Sequence, residues 1–84
     1  MKKSTMIENV SNDRHFSCYS KNDNIVLKNN SHMRICLYEI FNIQGESIVN
    51  GEFEVIETIK IQTPGTYVIV IQNFFHYSVK SLVL

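Results

Sequence analysis

The residues able to do chemistry are few and lie far apart along this sequence. Its three histidines are His15, His32 and His76, and no two of them stand at the short spacings that metal-ligand pairs use. Isolated histidines more often occupy turns and strand ends than metal sites. The sequence therefore predicts no bound metal and no cofactor.

Two cysteines, Cys18 and Cys36, are the candidate nucleophiles. Each lies within an apolar, strand-like segment, whereas a reactive thiol usually sits in an accessible site beside a base. We expect both to be buried free thiols that pack as small hydrophobic residues. A disulfide between them is the alternative, since it depends on a separation that sequence does not give.

Carboxylates are densest at Glu52, Glu54 and Glu57. Glu52 and Glu54 share the polar register of a predicted strand, so a solvated strand face explains them better than paired acid–base catalysis. The glycines stand singly at turn positions, and none belongs to a phosphate-binding loop before a helix. Together with the histidines and cysteines, this pattern predicts a protein that is not an enzyme.

Length and charge narrow the remaining classes of function. A chain of 84 residues builds one small domain with a thin core. Its 8 basic and 8 acidic residues give zero net charge, which argues against nucleic acid and slightly favours self-association. The start lacks the apolar region of an export signal, and the longest apolar run, Tyr67–Ile71, is too short to cross a bilayer. We expect a soluble protein with a protein partner.

The first half of the sequence reads as short extended segments separated by polar turns. His15–Ser20 and Ile25–Leu27 are predicted strands, joined by a turn at Lys21–Asn24. Met33–Ile43 fits both an amphipathic helix and a strand. Its aromatic and β-branched residues, without a capping box before them, favour the strand.

Glycine turns organise the middle of the chain. Gln44–Gly45 is the predicted tip of a hairpin, with Ser47–Val49 as its short second arm. Asn50–Gly51 is a second turn signal between extended runs. The alternating segment Phe53–Ile61 predicts one strand, with a bulge or break near Glu57.

The last third of the chain holds its most apolar segment. Thr63–Gly65 closes the preceding strand, and Thr66–Gln72 is so continuously apolar that it predicts a central strand covered on both faces. Phe75–Leu84 is the predicted last strand.

Three aromatic residues, Phe74, Phe75 and Tyr77, cluster around the turn before that strand. Core filling is the favoured interpretation, because a thin core needs large side chains. An exposed binding patch is the alternative.

These segments predict an all-β fold, an immunoglobulin-like antiparallel β-sandwich of about seven short strands. A small barrel is the alternative. The sandwich is expected at residues 14–84, after a loosely ordered leader at residues 1–13 that could hold a short edge strand at Ile7–Val10. Its terminal strands would be the natural docking surface.

Several of these segments resemble the C-terminal sorting domains of the bacterial type IX secretion system. Glu39–Val49 looks like that family's "hydrophobic-Tyr-Asn/Asp-x-x-Gly-x-x-Val" hairpin, with Phe41 where tyrosine is usual. Ile61–Ile71 is similar to its "Leu-x-x-Gly-hydrophobic-Tyr-x-Val-x-hydrophobic" strand, and Val79–Leu84 to its lysine-containing last strand. Tyr19–Leu27 takes the place of the opening "Tyr-Pro-Asn-Pro" segment but lacks both prolines.

The resemblance implies a seven-stranded β-sandwich that is an address read by an outer-membrane export and attachment machine, without catalysis of its own. It implies an exported or cell-surface place in a full-length context. The partner-binding residues that it suggests are Lys80, Leu82, Val83 and Leu84. The residues of its structural motif are Phe41, Gly45, Gly65 and Tyr67.

The alternative is a stand-alone binding or oligomerisation module in the cytoplasm. Such a module would use exposed strand edges, or the aromatic residues around the last turn, to bind another protein or a second copy of itself.

Overall fold

The computed structural model of the chain describes residues 14–84, and the expectations for residues 1–13, including the strand at Ile7–Val10, lie outside them. The strands are β1 (Phe16–Lys21), β2 (Asn24–Asn29), β3 (Cys36–Phe41), β4 (Ser47–Phe53), β5 (Ile56–Lys60), β6 (Thr66–Gln72) and β7 (Tyr77–Val83). No helix occurs in the described residues.

The strands form two antiparallel sheets. One has three strands in the order β1-β2-β5, and the other has four in the order β4-β3-β6-β7. The predicted all-β sandwich is therefore confirmed. In the constant-type immunoglobulin arrangement the fourth strand joins the sheet of the first, second and fifth. Here β4 pairs with β3 instead.

The core lies between the sheets and is built from alternate residues of the inner strands. Ile25 and Leu27 of β2 face Ile40 of β3 and Ile69 and Ile71 of β6, and all five are fully buried. Burying an aliphatic side chain of this size contributes about 1.5–3 kcal/mol. The position of β6 between β3 and β7 confirms it as a central strand. The predicted cover on both faces is only partial, since Val68 and Val70 of the outward row are half-buried.

β3 settles the helix-or-strand ambiguity in favour of the predicted strand. Cys36, Tyr38 and Ile40 are buried while Leu37 between them is exposed, which is the period of 2 that a pleated strand requires. The tight turn between β1 and β2 is also as predicted. Asn22 and Asp23 have φ of 54° and 65°, the left-handed pair of a type I′ hairpin turn.

The predicted turn at Asn50–Gly51 is wrong, because β4 runs straight through both residues. Gly51 pairs with Tyr38 of β3. A Cβ atom on Gly51 would lie 3.0 Å from Tyr38 Oη, so this glycine makes room for a tyrosine ring beside it. The close approach explains the glycine where the turn motif suggested a reversal.

The predicted strand Phe53–Ile61 is two strands, divided at Glu54 and Val55. An interruption was expected near Glu57, and it lies just before that residue. There the chain leaves the four-stranded sheet for the three-stranded one. Asn29 holds this crossing, since its Nδ2 donates to Glu54 O over 2.8 Å and its backbone N–H donates to Val55 O over 2.9 Å.

Candidate protein-docking surface

The three aromatic residues around the start of β7 are exposed, so the core-filling prediction is wrong. The exposed fractions of Phe74, Phe75 and Tyr77 are 83%, 69% and 65%. We call these three side chains the aromatic surface. The isoleucines of β6 and Tyr67 already fill the inward positions of that hairpin, which leaves the aromatic residues no core position to occupy.

A tight turn built by Asn73 presents this surface. The Asn73 backbone N–H donates to His76 O over 2.9 Å, and Asn73 Oδ1 accepts from the N–H groups of Phe75 and His76 at 3.0 and 2.8 Å. Phe74 and Phe75 therefore sit at the tip, with ring centroids 4.9 Å apart in an edge-to-face arrangement. An asparagine that binds its own downstream backbone favours this kind of turn.

The three histidines meet next to the aromatic surface, although they are distant in sequence. His15 stacks on His76 with ring centroids 3.4 Å apart and an interplanar angle of 15°. His32 lines the same hollow of about 460 Å³. Short-range spacing could not reveal this, because His15 and His76 precede strands of different sheets and meet only where β1 packs against β7. Within residues 14–84, no group of three or more His, Cys, Asp or Glu residues is placed to hold a metal ion.

The four residues suggested for partner binding do not form one side-chain surface. Val83 is 70% exposed, whereas Leu82 and Leu84 pack against the core. Lys80 is half-buried in the inward row of β7, where it pairs with Ile69. Any role of these residues in recognition stays a prediction.

Two of the four structural-motif residues shape the hairpin between β3 and β4. Gly45 has a φ of 86°, the left-handed conformation that glycine adopts without strain. Asn42 Oδ1 accepts from the backbone N–H groups of Gln44 and Glu46, each over 3.0 Å. Phe41 is half-buried at the end of β3, beside a bulge between Ile40 and Phe41.

The other two motif residues, Gly65 and Tyr67, hold the corner between β5 and β6. The buried Tyr67 donates its hydroxyl hydrogen to Thr63 O, the arrangement known as a tyrosine corner in immunoglobulin-like sandwiches. Gly65 exchanges two backbone hydrogen bonds with Leu84, at 2.8 and 3.2 Å. The chain's last described residue is thereby fixed to this corner.

Both cysteines are free thiols that pack with the core, as predicted: Cys36 is buried and Cys18 half-buried. Burial raises the pKa of Cys18 to about 11, against a smaller lowering by the nearby Lys80 charge. Burial also raises the pKa of Cys36, and a contact from the Asn73 amide acts in the opposite direction. Thiols with raised pKa values carry little thiolate at neutral pH and react slowly.

An open groove of about 630 Å³ lies at the opposite end of the sandwich from the aromatic surface. It runs between the β3–β4 hairpin and the corner before β6, and Ile43 and Ile48 on its rim are exposed. Its other lining groups are mainly amides, hydroxyls and aliphatic side chains, with Lys60 as the charged one.

Comparison with known proteins gives no family: neither protein-family models nor curated proteins match the sequence. No helix of the described residues is long and apolar enough to span a membrane. The fold and the exposed surfaces are therefore the basis for a functional conclusion.

Proposed function

We propose that this domain is a non-catalytic protein-docking module that binds its partner through the aromatic surface and the adjoining strand β7. The observation that carries the proposal is the exposure of Phe74, Phe75 and Tyr77. Large aromatic side chains at the tip of a hydrogen-bonded turn are held in place for contact, so little of their freedom is lost on binding.

The size of the aromatic surface supports docking. At ~200 Å² per aromatic side chain, the three exposed fractions amount to roughly 400 Å² of apolar surface. Patches of about 300–600 Å² are the largest on typical monomers and are often functional. Aromatic residues are also enriched in the residues that dominate binding energy at protein interfaces.

The sorting-domain resemblance suggests which partner this is. The segment that holds the aromatic surface continues into Lys80, Leu82, Val83 and Leu84, so one stretch of chain carries both sets of candidate residues. In this proposal the partner is the outer-membrane export and attachment machine. The raised pKa of Cys18 supports a role without catalysis.

An exported reporter joined through a long flexible linker ahead of the full chain tests the proposal in a bacterium that has the type IX machinery. We expect the wild-type fusion to reach the cell surface and the double variant Phe74→Ala, Phe75→Ala to stay in the periplasm. Ile43→Ala is the matched control, since Ile43 is 71% exposed, about as much as Phe75, and lines the groove at the opposite end of the sandwich. Wild-type reporter that remains periplasmic would sink the export role.

A stand-alone binding module without an export role is the second candidate. The aromatic surface supports this candidate as well as it supports the export role, because any protein partner could bury the exposed rings. This candidate predicts that a photo-crosslinking residue at position 74 captures one discrete protein in cells where the reporter fusion is not exported. The same residue at position 43, at the opposite end of the sandwich, should capture none.

A further inference from the structure

The two sheets leave four edge strands, and these differ in how they are protected. The edges are β1 and β5 in one sheet and β4 and β7 in the other. An edge strand exposes unpaired backbone N–H and C=O groups that can pair with another chain. Natural proteins block this with a covering element, a short strand or a charged side chain that points inward.

Three of the edges carry such protection. β1 and β7 lie against each other, and Lys80 adds a charge in the inward row of β7. β5 has only 5 residues, and its Glu57 pairs with the buried Leu27 and so lies in the inward row. Glu57 also raises the pKa of Tyr38 on the facing sheet, together with the larger effect of burial, which fits a carboxylate between the sheets.

Within the described residues, β4 has no covering element, no inward charge and no shortened length. Its one irregularity is a bulge near its start, where Ile48 is left without a partner in β3. The strand has 7 residues, and no strand covers its outer edge. Its inward positions are Val49, Gly51 and Phe53, which pair with the core row of β3. Its single charged residue, Glu52, is exposed on the outer face. Ile48, near the start of the strand, adds an exposed apolar side chain to this edge.

We propose that β4 pairs antiparallel with β4 of a second copy of the chain, which joins the two four-stranded sheets across a twofold axis. Full overlap of the strand places its middle residue, Asn50, on the axis. Val49 then faces Gly51 of the second copy, and Glu52 lies opposite the bulge at Ile48. No two like charges meet within the paired strands, a condition that antiparallel pairing needs.

The charge of the chain argues for a second copy over a charged partner. The net charge is zero, so two copies approach without long-range repulsion. The single carboxylate on β4 attracts a basic segment only weakly, and it repels an acidic one. The dimer leaves the aromatic surface open, since that surface lies at the β6–β7 turn, and this inference does not depend on the proposed function.

Sedimentation of the full chain tests the pairing with variants at the axis. We expect a wild-type dimer, and we expect Asn50→Lys or Asn50→Glu to raise the dimer dissociation constant at least about tenfold, because each places two like charges opposite one another. An equimolar mixture of the two variants should form dimers again. Thr58→Lys, an exposed change on the protected edge β5, should leave the dimer intact.

Three outcomes would overturn the pairing: a wild-type chain that is monomeric at its highest soluble concentration, an Asn50→Lys variant that is still dimeric, or a mixture that stays monomeric. Thermal unfolding followed by circular dichroism verifies that each variant is folded. A dimer that Phe74→Ala, Phe75→Ala dissociates and Asn50→Lys does not would assign the interface to the aromatic surface. That result would contradict this inference and leave the proposed docking role standing.

Discussion

At the scale of single residues, Tyr67 combines two stabilising roles. Its ring is buried in the core, and its hydroxyl satisfies Thr63 O in the loop before β6. A hydrogen bond that closes a loop restrains backbone that is otherwise held by few contacts. The tyrosine at position 67 is thus explained by the corner that it builds.

We expect Tyr67→Phe to lower the free energy of unfolding by about 1–2 kcal/mol, because the Thr63 carbonyl loses its partner. Urea unfolding followed by circular dichroism measures this. Tyr77→Phe is the control, since the Tyr77 ring is mostly exposed, and it should change stability by less than about 0.5 kcal/mol. Equal effects of the two substitutions would contradict the role given to the corner.

Gly51→Ala should destabilise the domain by about 1–3 kcal/mol, because its Cβ would lie 3.0 Å from Tyr38 Oη and 3.2 Å from two ring carbons. Adding Tyr38→Phe removes the closest atom and should restore part of the loss. A double-mutant cycle in urea provides the coupling energy. If alanine at position 51 were neutral, Gly51 would have no packing role in β4.

The same residues show what single-residue patterns predict and what they miss. Asn50–Gly51 matches a hairpin signal, but the requirement for glycine comes from Tyr38, a residue distant in sequence. Phe74 and Phe75 are large and apolar, which predicts burial, whereas the turn made by Asn73 points them outward. Both errors arise because the deciding contacts depend on tertiary pairing.

At the scale of elements, the β1–β2 hairpin is the most locally encoded part of the fold. Its register runs without a shift from Lys21–Asn24 to Phe16–Asn29. The two-residue turn uses left-handed backbone at Asn22 and Asp23, which asparagine and aspartate tolerate better than most residues and glycine adopts without cost.

Substitutions of Asp23 should therefore change stability in opposite directions. Glycine adopts the φ of 65° without strain. Asp23→Gly should therefore raise the free energy of unfolding by up to about 1 kcal/mol and raise the midpoint of the thermal melt. Asp23→Ala places a Cβ in left-handed backbone and should destabilise by about 1 kcal/mol. Thermal melts of the three proteins test this, and a stabilising alanine would contradict the turn type.

The sequence predicted strands correctly where β-branched and aromatic residues dominate a segment. The β-branched and aromatic content of β3 and β6 indicated strands, and both are strands. The division of the Phe53–Ile61 segment was predicted only as an interruption. That it moves the chain from one sheet to the other depends on Asn29, whose side chain and backbone bind Glu54 and Val55 from a different strand.

At the scale of the whole molecule, buried thiol and phenol groups make the free energy of unfolding depend on pH in the alkaline range. The pKa of Cys18 is raised from 9.0 to about 11, and the pKa values of Cys36 and Tyr38 are also raised by burial. Folding therefore keeps protons that the unfolded chain releases. The stability is complete below pH 9, falls as pH rises toward 11, and levels off above the folded pKa.

The Cys18 thiol alone should account for a loss of roughly 2–3 kcal/mol across this window. Urea unfolding near pH 8 and near pH 11 measures the loss in the wild-type protein. Cys18→Ala lowers stability at both values but should show a shallower decline between them. An identical decline in both proteins would show that Cys18 keeps its ordinary pKa in the fold.

The fold class followed from strand number, turn spacing and the lack of a helix pattern, because these are properties of the whole sequence. The sequence offers the residues of the aromatic surface as a binding patch only as the alternative to core filling, and it does not predict the histidines beside them. The gathering of His15, His32 and His76 beside Phe75 results from the antiparallel order of the sheets, and periodicity within one segment carries no information on that order.

The stack of His15 on His76 also determines where attached polypeptides would leave the domain. It places the beginning of β1 beside the beginning of β7, while the end of β7 lies beside Gly65 at the other pole. Arg14 thus lies next to the aromatic surface, whereas the end of β7 lies about seven residues of strand away, at ~3.4 Å per residue. A bulky group attached at Arg14 would block access of a partner to the aromatic surface, and one attached after Leu84 would leave that surface accessible.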